Sequence, residues 1–285
     1  MILSPDKECQ LLDFLFEAMP DKSRTTVKSY LTKRRVQVND LTTTQYNFPL
    51  RKGDRVTIGS GRVAPAPKSQ QLRIVYEDAD IIVIDKRNGL LSIGTDKEQK
   101  RTAYYILSDY VKEQHPDNKI FVVHRLDRET SGLMMFAKSE KIQEQMQRGW
   151  HKLVLDRRYV AVIEGTLPHA EGVIDAPLTQ DRNHKMWVTR PGEGEDATTY
   201  YTTLRSGKEY SLVDLRLVTG KKNQIRAHLE WKGTPIAGDK KYHAKTNPAG
   251  RVCLHAYKLS ITHPITGQEL HFDTRIPKLF EECVK

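Results

Sequence analysis

The sequence predicts an α+β protein made of two unequal units. Three observations carry this expectation. Strand-like runs alternate with helical stripes in both halves of the chain. The segment Ser60 to Gln71 (SGRVAPAPKSQQ) reads as a linker, because Gly61 and the prolines Pro65 and Pro67 favour an extended, semi-rigid spacer. A chain of 285 residues is long enough for two domains, and 38% hydrophobic residues supply a sizeable core. The expected division is a small domain over 1–59, a linker over 60–72 and a larger domain over 73–285.

The small unit opens with a helix, since Leu12, Leu15, Phe16 and Met19 fall at i, i+3, i+4 and i+7. Pro20 and Asp21 end it and begin the next. Val27, Tyr30 and Leu31 repeat the spacing between Arg24 and Lys33. Val36 and Val38 alternate as a strand, Asn39-Asp40 offers a turn, and Arg55 to Ile58 forms a second strand after Lys52-Gly53-Asp54.

Charge narrows the function classes. Lys plus Arg total 46 against 36 Asp plus Glu, a net +10 that favours a polyanionic partner, nucleic acid or an anionic membrane surface. Lys22, Arg24, Lys28, Lys33, Arg34 and Arg35 lie together with no acidic residue among them. Such runs are usually solvated helix faces, but those carry compensating acids. This one is suited to phosphate contacts. No apolar run approaches the roughly 18 residues of a membrane span, and Asp6, Lys7 and Glu8 interrupt any signal-peptide core. Cys9, Cys253 and Cys283 match no zinc spacing or disulfide framework, so buried thiols in a reduced cytoplasmic protein are expected.

The larger unit begins with a strand pair, Ile74 to Tyr76 and Ile81 to Ile84, turned at Glu77 to Asp80; Asn88-Gly89 makes a further turn. Thr102 is placed to cap a helix whose apolar face is Ala103, Ile106, Leu107, Tyr110 and Val111. Then Phe121 to Asp127 (FVVHRLD) and Leu133 to Ala137 read as strand, tight turn, strand, with Gly132 easing the turn. Alternation puts Val123, Arg125 and Asp127 on one face and Asp127 at the sheet's rim. The positive neighbours Arg125 and Arg128 favour the carboxylate form that a nucleophile or base requires. In isolation such an aspartate is more often structural, satisfied by turn amides and an arginine.

HRLDRETSG followed by LMMFAKS resembles the signature of the RluA-type pseudouridine synthases, which modify uridines in ribosomal and some transfer RNA. YEDADIIVIDKRNGL, RRYVAVIEG, LRLVTGKKNQIRAHL, GTPIAGDKKY, RVCLHAYKL and HPITGQELHF match in the family's order, the last three resembling its closing strands. The likeness spans residues 73 to 280. The N-terminal order, with RRVQVND and LRKGDRV, resembles the small S4-like RNA-binding module of the large-subunit branch. Two departures stand out: Arg87 where the family usually has proline, and Asn223 where it usually has histidine.

The resemblance implies a catalytic domain on a mixed, mostly antiparallel central sheet, with the active-site cleft across its middle. It implies isomerisation of uridine to pseudouridine without metal or cofactor, and no phosphate loop, GxGxxG or HExxH motif occurs here. Asp127 is the residue implied to act at the sugar, by attack on C1′ or removal of the 2′ proton. Arg226 is implied to pair with it, for which a bidentate guanidinium is suited; Ile225 and Leu229 form a buried pair that leaves Arg226 off their stripe. Tyr159 offers a ring to stack on the base, and Leu254 packs beneath it. Arg125 is the expected wedge when the base is extruded, and Lys221, Lys222 and Asn223 precede a helix that can receive phosphate. His124, His228 and His255 are equally open to core and site roles.

The expected partner is RNA, ribosomal first and transfer RNA second, with no DNA and no membrane, bound by a monomer. Two other readings remain open to test: a catalytically silent RNA-binding or ribosome-assembly factor, and an RNA N-glycosidase or nuclease using Asp127.

Overall fold

The computed structural model describes all residues except Arg34, Asp40, 60–66, Lys68, Lys97 and Asn183, together with the side chains of Leu41 and Thr42. Arg34 of the basic cluster and most of the expected linker therefore lie outside the described residues.

The N-terminal segment holds β1 (Ile2–Leu3), β2 (Cys9–Gln10), α1 (Leu11–Ala18), α2 (Arg24–Thr32), β3 (Val36–Val38), β4 (Leu41–Thr42), β5 (Pro49–Leu50) and β6 (Val56–Ile58). Strands β1, β6, β3 and β4 form one small sheet. On α1 the buried stripe is Leu11, Leu15 and Met19. The expected Leu12 and Phe16 are only half-buried at the edge of the same core, and the guanidinium of Arg24 lies 5.0 Å from the Phe16 ring centroid. Ser23 accepts the Thr26 N–H and caps α2, a bond worth about 1 kcal/mol.

This segment is seated on the rest of the protein. Leu15, Leu31 and Val56 share one apolar cluster with Tyr76, Ile81, Met135 and Phe272. Asn47 Nδ2 donates to Asp273 Oδ2 at 2.7 Å, and Gln45 Nε2 donates to the His271 carbonyl.

The larger unit contains β7 (Leu72–Glu77), β8 (Ile81–Lys86), α3 (Ala103–Gln114), β9 (Phe121–Val122), β10 (Ser131–Ala137), α4 (Glu140–Arg148), α5 (Trp150–Leu153), β11 (Val154–Glu164), β12 (Glu171–Asp175), β13 (Leu178–Gln180), β14 (Met186–Val188), β15 (Thr198–Ser206), β16 (Tyr210–Leu217), α6 (Gln224–Trp231), β17 (Leu254–Thr262), β18 (Glu269–Asp273) and α7 (Lys278–Cys283). Ten strands make one sheet, ordered β12-β15-β16-β11-β17-β10-β8-β7, with β18 beside β17 and β9 beside β10. Its one parallel pairing is β10 with β17; the sheet is mixed and mostly antiparallel, as expected.

The all-apolar run Ile81 to Ile84 is explained by two covered faces. Ile82 and Ile84 meet Leu107 and Tyr110 of α3. Ile81 and Val83 meet Ile142 and Met146 of α4 and the N-terminal segment. Thr102 caps α3 through the Tyr105 N–H at 3.0 Å, as the sequence predicts.

Strands β10 and β17 pair over only two positions, Ser131 with His255 and Gly132 with Ala256. Gly132 has φ +114, and a Cβ there would stand 2.1 Å from the Ala256 carbonyl oxygen. Only glycine fits this approach. The segment 233–242, expected among the closing strands, is instead a turn with a single bridge from Ile236 to Ile163, ending in a 3-10 helix at Lys240–Tyr242. All three thiols are free, and only Cys253 is fully buried. Among the described residues no helix is long and apolar enough to cross a membrane.

Candidate active site

The segment carrying Asp127 departs from the expected strand. β9 ends at Val122, and residues 123–130 leave the sheet. Two side chains take over its hydrogen bonds. His124 Nε2 accepts the Met135 N–H at 3.1 Å, where a continuing strand would have paired. Ser92 Oγ donates to the Leu126 carbonyl and accepts the Leu126 N–H. The Thr130 N–H closes a turn on the Asp127 carbonyl at 3.2 Å. Asp127 thus sits on a fastened turn just before β10.

Around that turn one cavity of about 60 Å³ gathers Arg125, Asp127, Tyr159, Lys221, Asn223, Arg226 and Leu254. These residues come from four separate stretches of sequence. The Asp127 side chain is 23% exposed, so the carboxylate is neither packed in hydrocarbon nor sealed. A wider cleft of about 770 Å³ adjoins through Arg125 and Lys221, walled by Trp150, His151 and Arg157. Lys222 is exposed and outside the cavity lining, and the N-terminal basic residues also lie outside it.

Asn223 Nδ2 donates to Asp127 Oδ2 at 2.5 Å, and Arg226 Nη1 reaches the same oxygen at 3.3 Å. Asp127 Oδ1 has no partner among the described residues. The bidentate arginine pairing foreseen for Asp127 goes elsewhere. Arg226 Nε and Nη2 grip the two oxygens of Asp239 at 2.6 and 2.8 Å, and Nη1 is shared between Asp127 and Glu129. Nor does Arg226 lie off a buried stripe: every residue from Gln224 to Leu229 is buried. Burial disfavours the Arg226 charge, but Asp239, Asp127 and Glu129 outweigh it and hold its pKa above the usual arginine value. Asp239 was missed because its segment reads as a strand; its signal was the Gly-Asp pair at a turn.

Asn223 occupies the left-handed region at φ +50, one residue before α6, and caps nothing. Its amide faces Asp127 instead. Lys221 N–H donates to Gln224 Oε1, and Lys221 Nζ pairs with Glu195 at 3.4 Å.

Tyr159 is central in β11, opposite Leu215 and Ala256, beside a register shift at Arg158. Its hydroxyl has no protein partner among the described residues. Burial pushes that hydroxyl's pKa up; Arg157 opposes this and Asp127 adds to it. The hydroxyl is therefore held in its neutral form. Leu254 opens β17 at 3% exposure and forms an apolar wall.

Lys86 was not foreseen. Its fully buried Nζ donates to the carbonyls of Leu90, Arg87 and Arg128 at 2.8, 3.1 and 3.4 Å. It ties the turn after β8 to the turn carrying Asp127. Burial pushes its pKa down to about 7 against the pull of Asp127. The histidines are core hydrogen-bonders. His255 bridges Ser131 and Thr274, and His228 bridges Thr199 and the Ala176 carbonyl.

Asp78, Asp80 and His263 lie close enough to suggest a metal site. The lone pairs of Asp78 and His263 are already engaged. His263 Nδ1 accepts the Ile265 and Thr266 N–H groups, so Nε2 carries the proton and donates to Asp78. Asp78 also accepts from Tyr76 and two amides. The cluster fastens the β7–β8 turn to the β17–β18 hairpin.

The chain is similar to known proteins along most of its length. The family described as RNA pseudouridylate synthase matches residues 80–231. An uncharacterized RNA pseudouridine synthase, YlyB, of Bacillus subtilis (strain 168) is 30% identical over 99% of this chain and 95% of its own. Ribosomal large subunit pseudouridine synthase D of Vibrio cholerae is 31% identical over 92% of this chain and 86% of its own. Human RNA Pseudouridylate Synthase Domain Containing 4 superposes with a TM-score of 0.60 at 26% identity, covering 73% of this chain and 90% of that one. With its catalytic fold, its matched segment and relatives aligned along nearly its whole length, this chain belongs to the RNA pseudouridylate synthase family and is an RNA pseudouridine synthase.

Proposed function

We propose that the protein isomerises specific uridines in structured RNA of the large ribosomal subunit, with Asp127 acting at the sugar of an extruded nucleotide. The observation that carries this reading is the asymmetric hold on Asp127. Oδ2 is fixed by Asn223 and Arg226, while Oδ1 is free among the described residues in the cavity that also holds Tyr159. Such a carboxylate is oriented before substrate arrives, which removes part of the entropic barrier.

In this reading Oδ1 meets the sugar, either attacking C1′ or taking the 2′ proton. The Tyr159 ring stacks on the base and its hydroxyl serves the late proton transfer at C5. Leu254 packs against the other side of the base. Extrusion costs a few kcal/mol, offset by phosphate contacts and by Arg125 filling the vacated stack. Lys221 contacts the flanking backbone. The protein needs no cofactor, because isomerisation is redox-neutral.

The ribosomal assignment draws on relatives such as ribosomal large subunit pseudouridine synthase D of Vibrio cholerae. The N-terminal segment is read as an S4-like RNA-binding module whose second helix and following turn dock on RNA, and the setting is the cytoplasm. The test is pseudouridine mapping of total RNA from cells carrying the wild-type protein or Asp127→Asn. The variant is expected to bind RNA and to lose the modification at defined large-subunit positions. Unchanged maps would overturn the reading; released uracil would instead indicate a glycosidase.

A further inference from the structure

Two of the three tryptophans are widely exposed, Trp187 at 46% and Trp231 at 53%, and both line one groove of about 660 Å³. Tryptophan is highly buried on average, and exposed apolar surface gathered at one place marks an interaction site. The fold holds both rings outward. Trp187 points away from β14 while its neighbour Met186 is anchored in a small core with Tyr242. Trp231 ends α6, the helix that carries Arg226.

The groove's lining carries two carboxylates, Glu164 and Glu230, both already engaged, and one lysine, Lys245. Glu230 is engaged by Lys185 Nζ at 3.0 Å and His243 Nδ1 at 2.6 Å. Glu164 accepts the N–H groups of Lys245 and Thr246. Lys245 in the lining, and Lys232 and Lys240 flanking it in sequence, have no carboxylate partner among the described residues. Lys232 lies 4.5 Å from the Trp231 centroid, placing a cation beside an exposed ring. Aromatic rings flanked by uncompensated ammonium groups are the composition of a surface that stacks bases and tracks phosphates.

The groove also abuts the catalytic network. The Tyr242 ring, which lines it, has the Arg226 guanidinium 5.0 Å from its centroid. Along α6, Trp231 lies about 7.5 Å beyond Arg226 at 1.5 Å per residue, roughly the reach of a neighbouring nucleotide.

We infer that the Trp187–Trp231 groove is a second RNA site, which stacks unpaired bases flanking the target uridine. This rests on the RNA-isomerase reading for its substrate, but its test is independent of turnover. The full chain is labelled with 5-fluorotryptophan, giving one fluorine resonance for each tryptophan, assigned with Trp→Phe variants. It is titrated with a short single-stranded oligouridine. The Trp187 and Trp231 resonances are expected to shift saturably with a common midpoint. If only Trp150, in the cleft beside Asp127, responds, the inference fails. It also fails if an apolar peptide moves the two resonances and RNA does not. In turnover assays Trp187→Ala and Trp231→Ala are expected to raise KM for RNA about ten-fold with kcat unchanged; unaltered KM in both variants, with unaltered melting temperature, overturns it. Saturable shifts together with pseudouridine maps unchanged by Asp127→Asn uphold the groove and overturn the isomerase reading alone.

Discussion

Asn223 and Arg226 converge on a single oxygen of Asp127, Oδ2, and they do so from the first turn of one helix and the residue preceding it. The helix thereby orients the carboxylate. Asn223 is the position where the family usually carries histidine, so here the hold is made by a group that does not titrate. Asn223→Gly separates orientation from folding, because glycine adopts φ +50 without strain. The expected result is a single-turnover rate about ten-fold lower, with RNA affinity and melting temperature retained. A Gly variant with the wild-type rate would remove Asn223 from the positioning role.

Arg226 and Asp239 form a buried pair, at 4% and 1% side-chain exposure. Removing one partner of such a pair costs about 3–5 kcal/mol, since the other charge is left without compensation. Asp239→Ala and Arg226→Met are each expected to lower stability by that order in urea denaturation. The double variant Arg226→Met/Asp239→Leu should recover much of the loss yet remain inactive. Recovery of activity with stability would show that Arg226 serves folding alone.

Lys86 gives a stability signature above neutrality. Its folded pKa is pushed down to about 7 from 10.5, so between those values the unfolded chain binds the extra proton. Stability from this group therefore rises with pH from 7 upward. It is best read between pH 7 and 9, below the range where buried Tyr76, Tyr159 and Tyr242 act in the opposite sense. Urea midpoints for wild type and Lys86→Met are expected to converge toward pH 7 in slope and to differ in slope above it. Parallel lines would place the Lys86 charge in contact with water.

Helices α1, α2 and α3 and strands β3, β6, β7, β8 and β10 were legible because each is written locally: Thr102 as a cap, Ile81 to Ile84 as a buried strand. Helices α4 and α7 and strands β12 to β14 were not. The sequence also located Asp127, Tyr159 and Arg226 in one cavity through motif likeness. It did not show that the strand before Asp127 breaks. That break depends on Ser92 and His124 supplying hydrogen bonds to backbone groups elsewhere in the sheet region. Nor did it show Asp239 as the main partner of Arg226, or Lys86 as a clamp of three carbonyls. Both depend on turns meeting in space across 13 and 42 residues of chain, a relation that periodicity does not encode.

Acid should destabilise the fold through its neutral histidines. Burial, reinforced by nearby arginine charge, pushes His255 down to about 4 and His124 to about 3, from 6.5. Below pH 6.5 the unfolded chain takes up protons that the folded chain refuses, so stability is lost progressively as pH falls toward 4. His255→Gln is expected to flatten the fall in urea midpoint between pH 6.5 and 4, at some cost in stability at pH 7 from the Ser131 and Thr274 bonds. An unchanged pH profile would assign the acid sensitivity to carboxylates such as Asp78, whose pKa is lowered although burial alone would raise it, because His263, Tyr76 and turn amides donate to it.

The N-terminal basic residues divide into two kinds. Arg24 and Arg35 lie 5.0 and 5.7 Å from the Phe16 and Tyr30 ring centroids, so they serve packing as well as charge. Lys22, Lys28 and Lys33 are exposed and have no acidic partner among the described residues. If these three neutralise phosphates, replacing them with glutamine should reduce the slope of log K against log salt by about 0.7–0.9 for each phosphate that regains its counterions. Melting temperature should not change, and kcat at saturating RNA should be kept, because none of the three lines the cavity around Asp127. Arg24→Gln should differ, lowering stability by about 0.5–1 kcal/mol as the cation leaves the Phe16 ring. A triple lysine variant with an unaltered salt slope would show that the N-terminal segment does not touch the RNA backbone through this face.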